Sequence, residues 1–268
     1  MSNEYFYEDE DITSHYTCNL NPVPAHFRMH IHEACEFLAV FRGKGQFRVE
    51  GTSYPLEAGD VLIMRPAEAH FVDVCPDEPY ERMAIQFHLP LFSHIDRDGW
   101  LSQPFLNREA GRLNRYRAEE LQGTMVPQLL QSMIAPCVDR RMHLLSGLLP
   151  ILEEIASVFH SRSEEPTADT LDYQITSYIN RHLRDDLSLD VICREFFISK
   201  PQLCRLFKNA TGSTVWEYIT AKRLVTAREL ILSGTPPTKA YGECGFGDYS
   251  VFYRAYKKKY GTSPSERQ

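Results

Sequence analysis

The chain has 268 residues, of which 43% are hydrophobic and 24% are charged, and this composition excludes a mainly disordered protein and suits one large or two ordinary domains. A net charge of -7 excludes a protein whose whole surface coats nucleic acid or an anionic membrane. No apolar run approaches the roughly 20 residues of a membrane span, and the acidic start of the chain is unlike a secretory signal, so we expect a cytoplasmic protein that does not contact membranes.

Residues 27–88 have the pattern of short strands separated by tight turns. Runs rich in β-branched and aromatic residues cover residues 36–41, 46–50, 54–56 and 61–64, and residues 82–88 alternate between polar and apolar. Gly43 and Gly45 can adopt the positive φ angles that a tight hairpin requires. Several short strands at regular spacing predict a barrel or a sandwich.

The pattern becomes helical after about residue 100. Residues 118–133 and 139–160 are predicted helices, and Pro150 predicts a kink or a break in the second. An apolar stripe recurs at helical spacing along that second helix: Leu145, Leu148, Leu149, Leu152, Ile155 and Phe159. The stripe suits packing against the strands and a dimer interface equally well, because a stripe alone does not identify its partner. Residues 163–170, which are small and polar, are a predicted linker.

The end of the chain is basic and consists of helices with short connections. Residues 1–165 carry 14 basic and 25 acidic side chains, whereas residues 166–268 carry 15 and 11. Ser188 is a predicted N-cap for a helix over residues 189–195. Ser199, with Gln202 three residues later, fits a capping box that opens a second helix ending near residue 210. Two short helices with this spacing predict a helix-turn-helix motif.

A longer helix and a second, looser helix pair follow. Thr214 and Glu217 form another predicted capping box, which opens a helix over residues 215–232. The second pair begins near Pro237, turns at residues 245–247, and restarts after the N-cap Asp248 for a helix to about residue 260. A helix of 18 residues is about 27 Å long. Successive major-groove faces of DNA are about 34 Å apart, so one subunit is expected to read two adjacent groove segments.

These residues closely resemble the AraC family of bacterial transcription regulators. The S-x-x-x-L-x-R-x-F-K recognition helix of that family is matched by residues 199–208, and T-G follows at residues 211–212. Residues 223–227 match R-L-x-x-A, residues 245–254 match G-F-x-D-x-S-x-F-x-R, and residues 261–264 match G-x-S-P. Pro237, Ala240 and Tyr241 depart from the usual isoleucine, isoleucine and alanine of the second motif. The resemblance implies a non-enzymatic homodimer that binds double-stranded promoter or operator DNA and contacts RNA polymerase.

The two recognition helices have distinct apolar and polar faces. Leu203, Leu206 and Phe207 are expected in the core of the first, and Phe252 and Tyr256 in the core of the second. Arginine has a fork suited to guanine O6 and N7, so Arg205 and Arg254 are expected to contact bases, while lysines are expected to contact phosphates. The predicted DNA-binding residues are Ser199, Lys200, Pro201, Cys204, Arg205, Lys208, Tyr249, Ser250, Tyr253, Arg254 and Lys257.

The strand region resembles a cupin barrel, which in AraC-type proteins usually binds a small effector, often a sugar or a related metabolite. In cupin enzymes H-x-H-x3-E-x6-G and a histidine of a second motif hold a metal ion. His30, His32, Glu36 and Gly43 keep this spacing, whereas the second motif, with His70, lacks its glycine. Two alternatives therefore stay open for these side chains, polar groups of an effector pocket or ligands of a divalent metal. The predicted effector-binding residues are His30, His32, Glu36, His70, Phe27 and Tyr54, and the first four are the predicted metal ligands.

The sequence as a whole predicts an α+β protein of two domains. Residues 1–100 are assigned to a cupin-like effector-binding barrel, residues 101–162 to a helical packing or dimerisation region, and residues 171–268 to an all-α DNA-binding domain with two helix-turn-helix motifs. The predicted function is that of an effector-responsive transcription regulator, an activator in many such proteins, with no cofactor other than the metal considered above. The alternative is a metal-dependent cupin enzyme with an accessory helical domain.

Overall fold

The computed structural model describes residues 4–23, 27–162 and 169–266. Its N-terminal part contains two antiparallel sheets and several helices. The C-terminal part is entirely helical. The predicted linker at residues 163–170 lies mostly outside the described residues, and its last residue, Thr170, is the N-cap of the helix that follows.

Within the described residues, nine strands form the two sheets. In chain order they are β1 (Tyr5–Glu8), β2 (Ile12–Asn19), β3 (Cys35–Arg42), β4 (Gly45–Val49), β5 (Thr52–Leu56), β6 (Val61–Met64), β7 (His70–Val74), β8 (Tyr80–Phe87) and β9 (Arg115–Tyr116). One sheet has the order β1-β2-β8-β3-β6-β9 and the other the order β5-β4-β7. The predicted strands are confirmed within a few residues. Strands β1, β2, β7 and β9 were not predicted, and β9 lies in the region of residues 101–162 that was expected to be helical.

The larger sheet is buried on both of its faces. Met83, Ile85 and Phe87 of β8 lie in an apolar core shared with the helices of this domain. Tyr80 and Ala84, which alternate with them, lie in a second core between the two sheets. Alternate residues of a strand point to opposite faces, so β8 contributes one set of side chains to each core.

The helices of the N-terminal part are α1 (Gln103–Leu106), α2 (Ala118–Leu121), α3 (Val126–Met133) and α4 (Arg140–Ser161), preceded by a 3-10 turn at Leu89–Phe92. The prediction of a single helix over residues 118–133 is wrong. A turn divides it, because Gly123 has a φ of 92° that a helix does not allow.

Helix α4 is continuous through Pro150, so the predicted break is also wrong. Leu148, Leu152 and Ile155 are fully buried against the larger sheet, and this burial offsets the hydrogen bond that proline removes. By length and hydropathy alone α4 could cross a membrane. Its packing on the sheet explains this hydropathy as that of a core helix. Leu148, Leu152 and Ile155 of the predicted stripe pack on the strands, while Leu145, Leu149 and Phe159 are half-buried, and the dimer interface stays a prediction.

The C-terminal helices are α5 (Leu171–Arg181), α6 (Leu189–Phe196), α7 (Lys200–Thr211), α8 (Val215–Leu232), α9 (Pro237–Glu243) and α10 (Tyr249–Tyr260). The side chains of Ser188, Ser199, Thr214 and Asp248 accept hydrogen bonds at the starts of α6, α7, α8 and α10, as predicted. The reciprocal bond of the capping box is present for Glu217, while for α7 only the Ser199 half is formed. Two helix-turn-helix units, α6–α7 and α9–α10, are thus joined by α8.

Candidate functional site

Helix α7 presents a polar face to solvent. Leu203 and Phe207 are buried in the domain core, and Leu206 is half-buried. The side chains predicted to contact DNA from this helix are exposed: Ser199, Lys200, Pro201, Cys204, Arg205 and Lys208. Lys200 is paired with Asp190 at 2.8 Å, so it is less available to a phosphate than the prediction assumed.

Helix α10 has the same division of faces. Phe252 and Tyr256 are buried, as predicted. Ser250, Arg254 and Lys257 are exposed, whereas Tyr249 and Tyr253 are half-buried. The unusual Tyr241 of α9 packs edge-on against Tyr249, with ring centroids 5.5 Å apart, and also faces the ring of Phe252. The departures from the family pattern are therefore accommodated by aromatic packing in the second helix pair.

Four predicted ligand residues meet at the open end of the two sheets. His30 and His32 lie in the segment before β3, Glu36 lies on β3, and His70 begins β7. Each offers one nitrogen or oxygen atom, and these atoms all lie within 4.8 Å of one another. Nε2 of His32 is 2.7 Å from Oε2 of Glu36. The two sequence motifs, which are about 35 residues apart, are therefore brought into one cluster.

The polar partners of this cluster bear on whether it suits a metal ion. Nδ1 of His70 is 2.8 Å from the carbonyl oxygen of Glu68, which directs Nε2 toward the cluster. That Nε2 atom is buried and forms no hydrogen bond among the described residues, although Oε2 of Glu36 lies 3.6 Å from it. Nδ1 of His32 and Nδ1 of His30 also contact backbone oxygens, at 2.8 and 3.1 Å. Three imidazoles oriented through their other nitrogen, with one carboxylate, fit the donor set of a divalent transition metal.

The ionisation of the cluster is set by burial and by mutual contact. Burial opposes the charge of Glu36, but a hydrogen bond from His32 and the nearby imidazole of His70 hold its pKa well below its usual value. Desolvation of its ring and the neighbouring His70 lower the pKa of His30, although the residue as a whole is exposed, whereas Glu36 raises the pKa of His70 against the effect of burial. A carboxylate beside a neutral imidazole is the protonation state in which both groups can bind a cation.

A cavity of about 180 Å³ opens beside the histidines, between the two sheets. Phe27, His30, Glu36 and His70 line it, as predicted for an effector pocket. His32 and Tyr54 do not line it, so these two assignments need correction. The Tyr54 ring is buried in the core between the sheets, and its hydroxyl donates to the carbonyl oxygen of Gly111 at 2.7 Å. Phe47, its partner across β4 and β5, lines the cavity instead and stacks on His70.

The C-terminal domain packs against the same end of the sheets through Glu50. This residue follows β4 and is 2% exposed. Its carboxylate accepts from Nζ of Lys222 at 2.5 Å, from Nδ2 of Asn180 at 2.6 Å and from the hydroxyl of Tyr218. It also accepts from the backbone nitrogen of Ala69 at 2.5 Å. Glu50 thus connects α5 and α8 directly to the residue that precedes His70.

Further contacts between the domains lie next to the other cluster residues. Nζ of Lys259 donates to the carbonyl oxygen of Ile31 at 3.1 Å, between His30 and His32 in the chain. Arg228 pairs with Glu33 at 3.2 Å. Nζ of Lys222 also donates to the carbonyl oxygen of Ala67 at 2.6 Å. The segments that carry the histidines are therefore the segments on which the C-terminal domain rests.

Sequence reasoning missed Glu50 and Lys222, and it missed the cavity residues Tyr80, Arg82 and Gln86. The signal for the cavity residues was present, since residues 80, 82, 84 and 86 alternate along β8 and so share one face. The partners of Glu50 on α5 and α8 lie at least 126 residues away along the chain, and no local pattern connects them.

Comparison with known protein families identifies both parts of the chain. Residues 23–145 match the AraC-like ligand binding domain, and residues 192–268 match a helix-turn-helix domain. The two matches together span most of the chain, and they correspond to the sheet-rich part and to the helical part.

Individual relatives agree with these family matches. The HTH-type transcriptional activator RhaS of Salmonella schwarzengrund is 25% identical over 254 residues, which cover 90% of this chain and 87% of the relative. The activator RhaR of Shigella dysenteriae serotype 1 is 23% identical, over 99% of this chain and 94% of the relative. Among solved structures, ToxT from Vibrio cholerae O395 is 13% identical over 96% of both chains, with a TM-score of 0.38. A score of this size adds no argument about function.

Proposed function

Because the chain belongs to the AraC family of transcription regulators, we propose that it is a sequence-specific DNA-binding activator that responds to a small polar effector in the cavity beside His30 and His70. The observation that carries the proposal is the pairing, in one chain, of two exposed recognition helices with a cavity whose rim contacts their domain. The effector is expected to be a sugar or a related metabolite. We further expect a cytoplasmic homodimer that contacts RNA polymerase at its promoter.

The interdomain contacts supply a route from the cavity to the recognition helices. A ligand shifts a conformational equilibrium only when it binds one arrangement better than the other. The segments around His30 and His70 both line the cavity and hold Lys259 and Lys222. A ligand that moves these segments therefore changes the contacts of α8 and α10, and in this way the position of the DNA-binding domain.

The proposal is tested by gel shifts of the full chain on the region upstream of its own gene. We expect a preference over random competitor DNA, and an affinity that falls steeply with salt because phosphate contacts release counterions. The preference is expected to be lost in Arg205→Ala. Equal affinity for the upstream region and for random DNA, with and without candidate small molecules, would contradict the proposal.

We also propose that His30, His32, Glu36 and His70 hold a divalent transition metal. The unpartnered Nε2 of His70 and the convergence of four donor atoms support this. A bound ion would supply a Lewis acid to which effector oxygens coordinate. In chain purified without chelators, metal analysis should give one ion per chain, and His70→Ala should remove it. His94→Ala, which changes an exposed histidine outside the cluster, is the matched control.

The same cluster is what favours the alternative, a metal-dependent cupin enzyme. One comparison of the His30→Ala variant with the unchanged protein distinguishes the enzyme from the regulator. The enzyme interpretation requires that the variant lose a catalytic turnover, whereas the regulator interpretation requires that it lose the effector dependence of DNA binding. The relatives are named as transcriptional activators, and this supports the regulator interpretation.

A further inference from the structure

Strand β8 supplies one side of the cavity beside the histidine cluster. Tyr80, Arg82, Ala84 and Gln86 alternate along the strand, and all four line the cavity. The cluster residues Glu36 and His70 lie on neighbouring parts of the same cavity. A ligand in this space therefore contacts β8 and the histidines at the same time.

The hydroxyl of Tyr80 is an unsatisfied polar group in this cavity. The Tyr80 side chain is 1% exposed, and its Oη atom has no hydrogen-bond partner among the described residues. A buried polar group without a partner costs the free energy of lost hydration. Nε2 of His70 also lacks a hydrogen bond, but it lies 3.6 Å from Oε2 of Glu36 and is a proposed metal ligand, so it adds no independent indication. The unsatisfied hydroxyl of Tyr80 therefore indicates a polar ligand that bonds to it.

The charges around the cavity favour a ligand with a negative charge. The guanidinium of Arg82 lies 4.8 Å from the centre of the Tyr80 ring and 5.1 Å from that of Phe27, and its Nη1 donates to Oδ1 of Asn19 at 3.2 Å. Arg28 also lines the cavity. Among the described residues, the only lining carboxylate is that of Glu36, and its Oε2 atom already accepts from His32 at 2.7 Å and from Gln86 at 2.9 Å.

The supply of donors and acceptors distinguishes an acid from a neutral polyol. Every hydroxyl of a neutral sugar carries a proton that needs an acceptor, and sugar sites usually provide carboxylates and amides for this purpose. Here the one lining carboxylate among the described residues already accepts two hydrogen bonds at Oε2, whereas Arg82 and Tyr80 supply a cation and a hydroxyl. A carboxylate accepts from both an arginine fork and a phenol hydroxyl without adding protons of its own.

From these observations we propose that the effector is a small hydroxy acid, such as a sugar acid, whose carboxylate binds Arg82 and the Tyr80 hydroxyl while its neighbouring hydroxyl faces the histidine cluster. The inference rests on the proposed function, because it specifies the ligand of the same cavity. It narrows the sugar-related metabolite expected above to compounds that carry a carboxylate. The cavity volume of about 180 Å³ suits a small hydroxy acid.

The test compares three acids with their polyol counterparts on the full chain. The pairs are lactate and propane-1,2-diol, glycerate and glycerol, and gluconate and glucitol, which differ mainly in the carboxylate. A ligand that binds only the folded state raises its melting temperature. We expect the acids to raise the melting temperature more than their partners, with and without added Zn²⁺. Shifts that are equal within a pair, or larger for the polyol, overturn the inference.

Two variants test the contacts themselves. Tyr80→Phe should leave the melting temperature of the ligand-free chain unchanged or higher, because it removes an unsatisfied hydroxyl, and should reduce the shift given by the acids. Arg82→Gln should weaken acid binding about tenfold or more, as expected for loss of a charge-assisted hydrogen bond. Arg42→Gln, which changes an exposed arginine at the end of β3 that does not line the cavity, is the matched control. Acid binding that survives in both Tyr80→Phe and Arg82→Gln also overturns the inference.

DNA binding measured on the same samples separates this inference from the proposed function. If the acids do not bind but the upstream DNA is still preferred over competitor DNA, only the ligand class is wrong. If the preference for the upstream DNA is absent both with and without the acids, the proposed regulator function itself is wrong.

Discussion

The C-terminal domain has two charged faces that are built in opposite ways. On the face against the sheets, Lys222 is 6% exposed and paired with the buried Glu50. On the face away from them, Arg205 and Arg254 are exposed, and neither forms an ion pair with a described residue. The first face satisfies its charges within the chain. The second leaves its charges available to another molecule.

This difference separates the contacts that hold the domain in place from the side chains that are expected to recognise a partner. A buried charge must be paired, because removing it from water costs several kcal/mol per ion. An exposed arginine carries no such penalty, and a planar fork in solvent is suited to guanine edges and phosphates. The buried contacts therefore fix where the domain sits, and the exposed side chains determine which molecule it binds.

The largest expected effect on stability comes from breaking the ion pair on the buried face. Glu50→Gln removes the charge opposite Lys222 with little change in size, and leaves a buried cation without its partner. We expect a loss of about 3 to 5 kcal/mol in the free energy of unfolding, as for other broken buried ion pairs. The measurement is urea denaturation of the full chain.

The matched control for Glu50 is Glu57→Gln. The Glu57 side chain is 62% exposed and paired with Arg115, so its removal should change stability by no more than about 0.5 kcal/mol. Equal effects of the two variants would show that the buried face contributes no more than a surface ion pair.

A smaller effect is expected on the exposed face. Arg205→Ala should leave the fold intact and lower the preference for the correct base by about 1 to 3 kcal/mol. The measurement is the ratio of affinities for the preferred DNA and for a variant of it with one changed base pair. Lys257→Ala is the control. It should weaken binding to all sequences alike and reduce the salt dependence by about one counterion. A uniform loss in Arg205→Ala would mean that Arg205 contacts phosphate only.

The smallest expected effect comes from the turn of the first helix-turn-helix motif. Phe197 has a φ of 54° and is 95% exposed, so its ring contributes little packing while its backbone is strained. Phe197→Gly should stabilise the chain by about 1 kcal/mol, since glycine adopts this φ without a steric cost. The measurement is thermal unfolding, with Phe197→Ala as the control, because alanine removes the ring but keeps the strain. Equal shifts in the two variants would assign the effect to the ring.

Local signals predicted a large part of the fold. The caps Ser188, Thr214 and Asp248 fixed three helix starts, because an N-cap side chain bonds to the backbone only two or three residues away. The strands from β3 to β6 followed from alternation and glycine turns. The break at Gly123 was missed because a glycine can adopt either a helical or a positive φ, and the continuity of α4 through Pro150 was missed because it depends on what packs against the helix.

The candidate site was predictable only in part. The spacing of His30, His32 and Glu36 indicated a shared cluster before any coordinates were known, and the structure brings His70 to it. Tyr54 was placed there wrongly, while Tyr80 and Arg82 were not placed there at all. Which strand face borders a cavity depends on how two sheets pack, and single-strand patterns do not specify that packing.

The sequence by itself determined the helix-turn-helix pairs, their exposed arginines and the family to which they belong, because these depend on residues a few positions apart. Only the tertiary structure decided that Glu50 meets Lys222 and that the segments carrying the histidines support the DNA-binding domain. Such contacts join residues more than 100 positions apart. They form when burial of two domains against each other fixes their positions, and no local pattern encodes that arrangement.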